Sequence, residues 1–347
     1  MHIGAVADSP LERAALALNQ VPIPVAHPMY GMPLARVVSI AQKTGMFGRL
    51  VREPGTAAEL AAELGLGEQG TRLMLEVLAD VGHVDRDGEH YAISKRARRW
   101  LDPDSYTYCG TFIEHTAEYW DWWGDLERIV RTGESYELHD RGADDPTWRT
   151  YITGQFELAR LSAPEVARAI RLRKGATSMI DIAGAHGWFS VELCRRHDGL
   201  HATVVDLPPS AAVGREIVAR AGMGDRVRHV EGDMFEADLG SGHDLALCFN
   251  IIHHLEPAQI VSLFERVGEA LRPRATLAVL DLFADPGGRH AGQGAMLGLF
   301  FFLTSAAATY SPAQLTEYLD AAGFDAPKRT RIRRIPDQAL YQARRRR

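Results

Sequence analysis

From residue 174 onward, apolar and polar residues alternate in blocks that predict a repeating order of strand and helix. Short apolar runs bounded by polar residues or glycine predict buried strands, and longer segments with apolar residues three and four apart predict amphipathic helices. This alternation is typical of an α/β domain with a doubly wound parallel sheet. The predicted strands cover residues 179–182, 202–205, 227–230, 245–249, 276–280, 328–335 and 339–344, and the predicted helices cover 188–196, 210–221, 258–271 and 312–322.

The first hundred residues carry a different, mainly helical pattern. Thr56 and Glu59 form the signature of a capping box at the start of a helix. The prolines between residues 22 and 33 are expected to interrupt the chain ahead of another helix. Asp87 and Gly88 lie between two strand-like runs and predict a hairpin. The order matches a winged helix, with helices over 11–18, 34–41, 56–64 and 69–81 and the hairpin over 84–93.

A winged helix usually binds DNA, but the charge of this one argues against that function. Between Gly55 and Trp100, Asp and Glu outnumber Lys and Arg, whereas a nucleic-acid surface needs a basic excess. We therefore expect this segment to form a dimerisation surface, so that the chain is a homodimer and binds no nucleic acid. A winged-helix regulator that senses a small molecule stays the alternative.

Residues 106–130 are rich in aromatic side chains, for which two interpretations stand. They could form a pair of core helices joining two domains, or an aromatic wall for a planar substrate. A polar loop follows over 131–145, and then a helix over 148–173 that Pro164 could divide. The predicted parts are a winged-helix-like dimerisation domain over 1–104, a helical connector and substrate wall over 105–172, and a Rossmann-like domain over 173–347.

Length and composition fit a globular protein with more than one domain. The 347 residues are 46% hydrophobic, and the formal net charge is -6. The three cysteines are scattered without a CxxC pair, so buried reduced thiols are expected rather than disulfides or a metal site. No signal-peptide pattern opens the sequence, and the apolar stretch 296–308 is too short to span a bilayer. We therefore expect a cytoplasmic protein without membrane contact.

Polar residues stand at the carboxyl ends of the predicted strands, where open α/β sheets hold their ligands. The turn DIAGAHG contains Gly184 and Gly187 but does not match the three-glycine dinucleotide fingerprint. Asp181 beside this turn suits a ligand with an ammonium or sulfonium group, and Asp206 can accept hydrogen bonds from two ribose hydroxyls. S-Adenosylmethionine carries these groups. The other strand-end residues are Asp233, Asn250, His253 and Asp281.

The motifs IDIAGAHG, VVDLPP, EGDMF and NIIHHL follow one another behind the predicted winged helix. With these motifs the chain resembles the class I S-adenosylmethionine-dependent O-methyltransferases, in particular the two-domain, plant caffeate-type family with many bacterial natural-product members. The resemblance covers nearly the whole chain, and the combination of DLPP with GDMF is fairly specific for this family. It implies a Rossmann-like doubly wound methyltransferase domain, with S-adenosyl-L-methionine as cofactor and S-adenosyl-L-homocysteine as product.

The resemblance also implies roles for individual residues. His253 stands at the position of the family's general base, and Asp281 stands where the family has a glutamate that orients that base. A neutral imidazole can take the proton of a phenol as its oxygen attacks, and a carboxylate on the far nitrogen stabilises the imidazolium. The implied cofactor contacts are Gly184 and Gly187 at the methionyl part, Asp206 at the ribose, Asp233 with Met234 at the adenine, and Asn250 in place of a lysine near the cofactor. Asp181, Leu207 and Phe235 complete the expected cofactor-binding residues.

Several positions depart from the family pattern. Ala183 and Ala185 replace glycines of the family's turn, so fewer backbone conformations are open to this turn. His254 replaces the aspartate of the family's H-D-W segment, and Thr309 stands near the place of a second family glutamate. These departures weaken the expectation of the usual acid–base pair and admit another acceptor chemistry.

The adjacent histidines His253 and His254 have two further interpretations. They could ligate a metal, but His290 is the single candidate for a third ligand, so no metal is expected. They could also form a purely structural pair. His186, inside the glycine turn, is expected to pack or to cap the following helix rather than to react.

The acceptor pocket is expected to suit an aromatic or polyketide-like molecule. The expected function is methyl transfer to a hydroxyl of such a small molecule in secondary metabolism, such as antibiotic biosynthesis. Carboxyl, carbon or nitrogen methylation on the same fold stays open, as does a fold that binds the cofactor without transferring methyl. The expected substrate-binding residues are Tyr119, Trp120, Trp123, Tyr151, Phe156, His254, Met296 and Phe300.

Overall fold

The fold was analysed in a computed structural model that describes residues 6–136, 138–284, 294–307 and 309–346. The chain divides into two compact units, Met1–Tyr119 and Trp120–Arg347. The domain boundaries expected at residues 104 and 172 stay predictions. Within the described ranges, no helix is both long enough and apolar enough to cross a membrane.

The first unit is mainly helical and carries a three-stranded sheet. Its strands are β1 (Gly55–Thr56), β2 (Val84–Asp87) and β3 (His90–Ile93). Its helices are α1 (Pro10–Ala17), α2 (Ile23–Ala26), a π-helical turn (His27–Gly31), α3 (Met32–Lys43), α4 (Met46–Arg52), α5 (Ala57–Leu64), α6 (Glu68–Asp80), α7 (Lys95–Leu101) and α8 (Gly110–His115).

The capping box predicted at the start of α5 is confirmed. The Glu59 amide donates to Thr56 Oγ1 at 3.3 Å, and the Thr56 amide donates to the Glu59 carboxylate at 2.7 Å. The predicted hairpin is confirmed as the antiparallel pair β2 and β3, with Val84 opposite Ile93. Buried side chains of α4, α5, α6 and the hairpin form one hydrophobic core. The first unit therefore contains the predicted helices and hairpin, together with helix α4, which the sequence pattern did not predict.

The expected interruption by prolines is wrong. α2, the π-helical turn and α3 follow one another without a gap from Ile23 to Lys43. Pro24, Pro28 and Pro33 each stand in the first turn of one of these segments. The prolines therefore start helical segments rather than end them.

The second unit is built on a seven-stranded sheet. Its strands are β4 (Ser178–Ile182), β5 (His201–Asp206), β6 (Val227–Glu231), β7 (His243–Phe249), β8 (Leu271–Leu282), β9 (Lys328–Arg331) and β10 (Gln338–Arg344). Its helices are α9 (Tyr119–Gly124, which begins at the last residue of the first unit), α10 (Leu126–Thr132), α11 (Thr147–Ala169), α12 (Trp188–Arg196), α13 (Pro208–Arg220), α14 (Pro257–Ala270), α15 (Gly294–Ser305) and α16 (Pro312–Ala321), with 3-10 turns at Leu138–Asp140 and Ile252–His254.

The strand order β6–β5–β4–β7–β8–β10–β9 is that of a doubly wound sheet. Strands β4 to β8 pair in parallel, and β10 is antiparallel to both of its neighbours. Successive residues of a strand face opposite sides, so Met179 packs in the core with α11, α12 and α13, while Ile180 packs in the core with α14 and α16. The predicted α/β fold is confirmed, and the carboxyl ends of the parallel strands share one edge.

Two expectations for the middle of the chain are wrong. Pro164 does not divide its helix, because α11 is continuous from Thr147 to Ala169 with Pro164 inside it. The aromatic segment 106–130 forms α8, α9 and the start of α10 instead of a helix pair. Clustered aromatic residues did not predict these short helices because they carry little helical periodicity.

Candidate active site

A cavity of about 250 Å³, partly open to solvent, lies at the carboxyl ends of the parallel strands in the second unit. The predicted site residues in its wall are Tyr151, Asp206, Leu207, Asp233, Met234, Asn250 and His254. The wall also contains residues that the sequence did not single out, among them His139, Gln155, Ser210 and Ser305. His139 lies in a predicted polar loop, and a single histidine there gives no periodic signal.

The turn after β4 keeps a left-handed backbone despite its alanines, with φ 52° at Ala183 and φ 42° at Ala185. Such angles strain any residue with a Cβ. The Ala185 amide donates to Asp206 Oδ2 at 2.7 Å, and His229 Nε2 donates to the Ala185 carbonyl at 2.8 Å. Hydrogen bonds at both ends of Ala185 therefore hold the turn in the shape that glycine would adopt freely.

Asp181 lies beneath this turn. A Cβ on Gly184 would lie 2.5 Å from the Asp181 carboxyl carbon, so the glycine lets the turn close over the carboxylate. Ser190 donates to Asp181 Oδ2 at 2.6 Å, and burial raises the pKa of Asp181 to about 7. Gly187, with φ 65°, is the N-cap residue of α12. Asp181, Gly184 and Gly187 are not among the described residues that line the cavity.

Asp206 lies in the cavity wall with hydrogen-bonding capacity to spare. Its Oδ1 accepts from the Leu207 amide at 2.8 Å, and its Oδ2 accepts from Ala185. The Ser210 side chain also hydrogen-bonds this carboxylate. A carboxylate has about four acceptor positions, so about one remains for a hydroxyl donor. Desolvation raises the pKa of Asp206 to about 6. These features fit the ribose of S-adenosylmethionine.

The loop after β6 adds a second carboxylate to the wall. Asp233 Oδ1 accepts from the Phe235 amide at 2.7 Å, and Met234 lines the cavity beside Asp233. Phe235 itself packs against the core beneath. A carboxylate next to an apolar side chain suits a planar ring with an amino group, as in adenine.

Asn250, after β7, takes a left-handed backbone with φ 53° and lines the cavity. Its amide donates to the Leu280 carbonyl at 2.7 Å. Its Oδ1 accepts from Gln338 Nε2 at 2.9 Å, so β10 reaches back to orient this side chain. Gln338 is therefore a supporting residue that the sequence did not indicate.

The buried pair His253 and Asp281 joins the 3-10 turn after β7 to the end of β8. His253 Nδ1 donates to Asp281 Oδ1 at 2.6 Å, and the Leu282 amide donates to the same oxygen at 2.7 Å. Because Nδ1 carries the proton, Nε2 of a neutral His253 is a lone-pair base. Phe301 stacks on the His253 ring with the centroids 3.7 Å apart and 16° between the planes.

His254 lies between His253 and His139. Its ring centroid is 4.2 Å from that of His253, and it meets the His139 ring edge-on at 4.7 Å. Its Nδ1 lies 2.9 Å from Ser305 Oγ. Desolvation, and then the neighbouring imidazoles, hold the pKa of His254 well below its ordinary value. His254 is therefore neutral at physiological pH.

Of the other residues expected to bind the acceptor, one lines the cavity and the rest lie elsewhere in the described structure. Tyr151 lines the cavity, and desolvation raises its pKa to about 12, so it stays a phenol. Phe156 packs edge-on against Trp188 at 5.0 Å, beside a different cavity. Tyr119 ends the first unit. Four further expected residues, Trp120, Trp123, Met296 and Phe300, are not among the described residues that line the cavity. Trp120 is 39% exposed and Met296 is 62% exposed. The ring centroids of Trp123 and Phe300 are 6.2 Å apart.

The remaining histidine and the cysteines have structural positions. His186 Nδ1 accepts from the Trp188 amide at 3.0 Å, which confirms the predicted cap, and burial lowers the pKa of His186 to about 3. The three cysteines are buried free thiols. In the described part of the chain, no group of three or more His, Cys, Asp or Glu side chains is arranged to hold a metal ion. His290 lies outside the described residues.

Known proteins with similar sequences include O-methyltransferases of natural-product biosynthesis. A family model described as an O-methyltransferase domain matches residues 128–325. The chain is 26% identical over 303 residues to the 3-hydroxy-5-methyl-1-naphthoate 3-O-methyltransferase of Streptomyces sahachiroi, covering 84% of this chain and 86% of that protein. It is 28% identical over 300 residues to the mitomycin biosynthesis 6-O-methyltransferase of Streptomyces lavendulae, covering 83% and 85%.

A solved structure shares the whole fold. The mitomycin 7-O-methyltransferase MmcR superposes with a TM-score of 0.83 at 25% identity, covering 97% of this chain and 100% of that chain. The predicted fold class is therefore confirmed by a structural neighbour as well as by the strand order.

Proposed function

The chain belongs to the O-methyltransferase family, and from that premise we propose that it methylates a hydroxyl of a small aromatic or polyketide-like molecule in secondary metabolism. As a member of this family it is an S-adenosylmethionine-dependent O-methyltransferase. The names of its naphthoate and mitomycin relatives support the acceptor class. The observation that carries the proposal is the 2.6 Å hydrogen bond between His253 and Asp281 next to the cavity-lining His254.

His253 acts as the general base. When bound, the cofactor supplies an electrophilic methyl group on a sulfonium centre. Nε2 of neutral His253 takes the proton of the acceptor hydroxyl as the oxygen attacks that methyl group. Asp281 keeps the proton on Nδ1 through the 2.6 Å hydrogen bond and stabilises the imidazolium that forms.

The cofactor lies against Asp206, Asp233 and Met234. The carboxylate of Asp206 accepts a hydrogen bond from the ribose, and Asp233 with Met234 flanks the adenine. Support comes from their shared position in the cavity wall and from the hydrogen bonds that hold both carboxylates in place. Charge-assisted hydrogen bonds of this kind are the strong ones, so Asp206 should dominate cofactor affinity.

Labelled S-adenosylmethionine and a panel of phenols test the reaction. His253→Gln keeps the approximate shape of the side chain and removes its basicity, so turnover should fall by roughly 10²–10⁴. Affinity for S-adenosylhomocysteine should change less than about twofold, since the proposed role of His253 is toward the acceptor and not toward the cofactor. His201→Gln, an exposed histidine at the start of β5, is the matched control and should behave as the wild type.

The same variant separates oxygen acceptors of two kinds. A carboxylate acceptor is already ionised at neutral pH and needs no base. Near-normal turnover in His253→Gln would therefore contradict phenol methylation and support a carboxyl acceptor. If the wild type binds the cofactor but transfers no methyl group to any phenol of the panel, the proposal of a hydroxyl acceptor is contradicted.

We also propose a homodimer formed through the leading helices of the first unit. These helices expose large apolar side chains, which single domains rarely leave uncovered in a group. The exposed fractions are 80% at Leu11, 69% at Leu18, 57% at Val25, 60% at Met29, 65% at Tyr30 and 55% at Met32. A second copy of the chain is the partner that would cover them.

A further inference from the structure

The cationic segment, residues 328–337, covers β9 and the loop that leads to β10. It contains five Lys and Arg side chains and one acid, Asp337, although the whole chain has a net charge of -6. The nearby carboxylate of Asp325 pairs instead with Arg274 at 3.0 Å. Within the described ranges, none of the five cations has an ion-pair partner. The five are all exposed: Lys328, Arg329, Arg331, Arg333 and Arg334.

Strand register places part of the cationic segment at the sheet edge that holds the cavity. Ala339 of β10 lies opposite Asp281 of β8 on one side and opposite Arg331 of β9 on the other. Neighbouring strands are about 4.8 Å apart, so the backbone of Arg331 lies roughly 10 Å from that of Asp281, the partner of the candidate base. Arg333 and Arg334 belong to the loop that follows β9 at this edge.

Hydrogen bonds tie this loop to the cavity wall and to α11. Gln338, the first residue of β10, donates to Asn250 Oδ1 at 2.9 Å, and Asn250 lines the cavity. The backbone N–H groups of Arg333 and Arg334 donate to the Glu165 carboxylate at 2.8 and 3.1 Å. Because these bonds use the backbone, both guanidinium groups stay available to solvent. Glu165 offsets one positive charge, so the surface around the loop stays cationic.

Cationic side chains on an edge strand also prevent pairing with another chain, and β9 is an edge strand of the sheet. That role accounts for Lys328, Arg329 and Arg331, which lie on β9. It does not account for Arg333 and Arg334, which lie beyond the strand, where there is no ladder to extend. Their position at the edge that holds the cavity points instead to a role toward a ligand.

The carboxyl-end edge of the sheet therefore carries opposite charges on its two sides. Asp206 at the end of β5 and Asp233 after β6 lie in the cavity wall, on the side where the cofactor with its sulfonium charge is placed. The cationic segment lies on the other side, because β9 is at the opposite end of the strand order. Such a separation favours the approach of a cation from one side and of an anion from the other.

We propose that the cationic segment attracts the acceptor by electrostatic steering, so that the preferred acceptors carry a negatively charged group, such as a carboxylate, apart from the hydroxyl that is methylated. This inference rests on the proposed function, in which that hydroxyl reacts in this cavity. The roughly 10 Å between Arg331 and Asp281 is about one Debye length at 0.1 M salt, so the attraction reaches the site at low salt and is screened as salt rises. Steering acts on the association rate more than on the dissociation rate.

Association rates with the S-adenosylhomocysteine complex of the full chain test the steering without turnover. The probes are 6-hydroxy-2-naphthoate, which is an anion, and its methyl ester, which has the same rings and hydroxyl without the charge. Stopped-flow fluorescence measures both rates between about 20 mM and about 300 mM NaCl. The rise in salt should slow association of the anion by about threefold or more and that of the ester by less than about 1.5-fold.

Charge removal on the cationic segment should have the same effect as salt. The combined variant Arg331→Gln, Arg333→Gln and Arg334→Gln should slow association of the anion by about threefold or more at low salt and leave the ester unchanged. Replacing the same three residues with Glu should slow the anion further. The matched control removes three exposed cations between the last turn of α11 and the amino end of β4, and it should stay within about 1.5-fold of the wild type. Its substitutions are Arg168→Gln, Arg171→Gln and Lys174→Gln.

Equal salt dependence of the two probes, an unchanged rate for the anion in the glutamine variant, an equal loss in the control variant, or failure of the anion to bind would overturn the inference. Parallel assays with labelled S-adenosylmethionine keep the two proposals apart. Absence of methyl transfer to both probes, together with an association rate that still depends on charge, counts against hydroxyl methylation and not against steering by the cationic segment.

Discussion

At the scale of single residues, two carboxylates beside one turn have different tasks. Asp206 lines the cavity, whereas Asp181 lies beneath the turn and accepts from Ser190. Loss of bulk water raises the pKa of Asp206 to about 6 and that of Asp181 to about 7. The pH dependence of cofactor binding and that of stability should therefore trace to different aspartates.

Cofactor affinity should depend on the ionisation of Asp206. Below pH 6 its carboxyl takes up a proton and loses acceptor capacity, so affinity for S-adenosylhomocysteine should fall by up to about tenfold per pH unit and level off above pH 7. Asp206→Asn should bind about tenfold or more weakly at pH 8 and lose this pH dependence. Calorimetry between pH 5 and pH 8 measures both, and an unchanged affinity in the variant would remove Asp206 from the site.

The free energy of unfolding should decrease as Asp181 ionises, whereas ionisation of an ion-paired carboxylate usually increases it. Its pKa in the folded protein, about 7, lies above the unfolded value of about 4, so the native state binds the extra proton. This contribution to the free energy of unfolding is fully present below pH 4 and is lost as the pH rises to 7. The neutral variant Asp181→Asn should avoid that loss.

Urea denaturation of Asp181→Asn at two pH values measures this effect. The variant should be more stable than the wild type by about 1–3 kcal/mol at pH 8 and differ little at pH 4. Its affinity for S-adenosylhomocysteine should stay within about twofold of the wild type, because Asp181 does not line the cavity. Asp206→Asn is the matched control, and a large affinity loss in Asp181→Asn would instead support its predicted contact with the cofactor.

At the scale of elements, the turn after β4 depends on a strand two positions away in the sheet. His229 on β6 donates to the Ala185 carbonyl, and its pKa is lowered to about 4 by burial, so it stays neutral. Gly214 on α13 leaves room for this contact, because a Cβ there would lie 2.2 Å from the Ala185 carbonyl oxygen. We infer that His229 clamps the strained peptide whose amide holds Asp206.

A double substitution tests this clamp. His229→Leu should weaken binding of S-adenosylhomocysteine by about 3–10-fold, since Ala185 can leave its left-handed conformation and release Asp206. Ala185→Gly adopts that conformation without strain and should restore most of the affinity in the His229→Leu background. His243→Leu is the matched control, because buried His243, the first residue of β7, also contacts a backbone carbonyl through Nε2, that of Leu239 at 2.9 Å. Equal losses with and without Ala185→Gly would contradict the clamp.

At the scale of the whole molecule, the apolar residues exposed by the leading helices should determine the oligomeric state. Met29→Glu combined with Met32→Glu introduces charges among them, so the proposed dimer should dissociate into monomers at micromolar concentration. Sedimentation velocity measures this change. Leu73→Glu is the matched control, since Leu73 is a 49% exposed apolar residue on α6 of the same unit, and it should leave the dimer intact. A monomeric wild type would contradict the proposal.

Sequence periodicity was sufficient for most of the fold. The α/β alternation, the capping box of α5 and the β2–β3 hairpin are confirmed because each depends on residues a few positions apart. The placement of Asp206, Asp233 and Asn250 in one cavity wall also followed from the sequence, since parallel strands bring their carboxyl ends to the same edge.

Long-range packing decided the rest of the candidate site. Asp181 and Asp206 both follow the strand-end pattern, but the closure of the turn over one carboxylate separates them by environment. His139 reaches the cavity from a segment without periodicity, and His254 contacts Ser305, about fifty residues further along the chain. Local pattern specifies the type of an element and its buried face, whereas the surroundings of a loop side chain depend on contacts between residues far apart in the sequence.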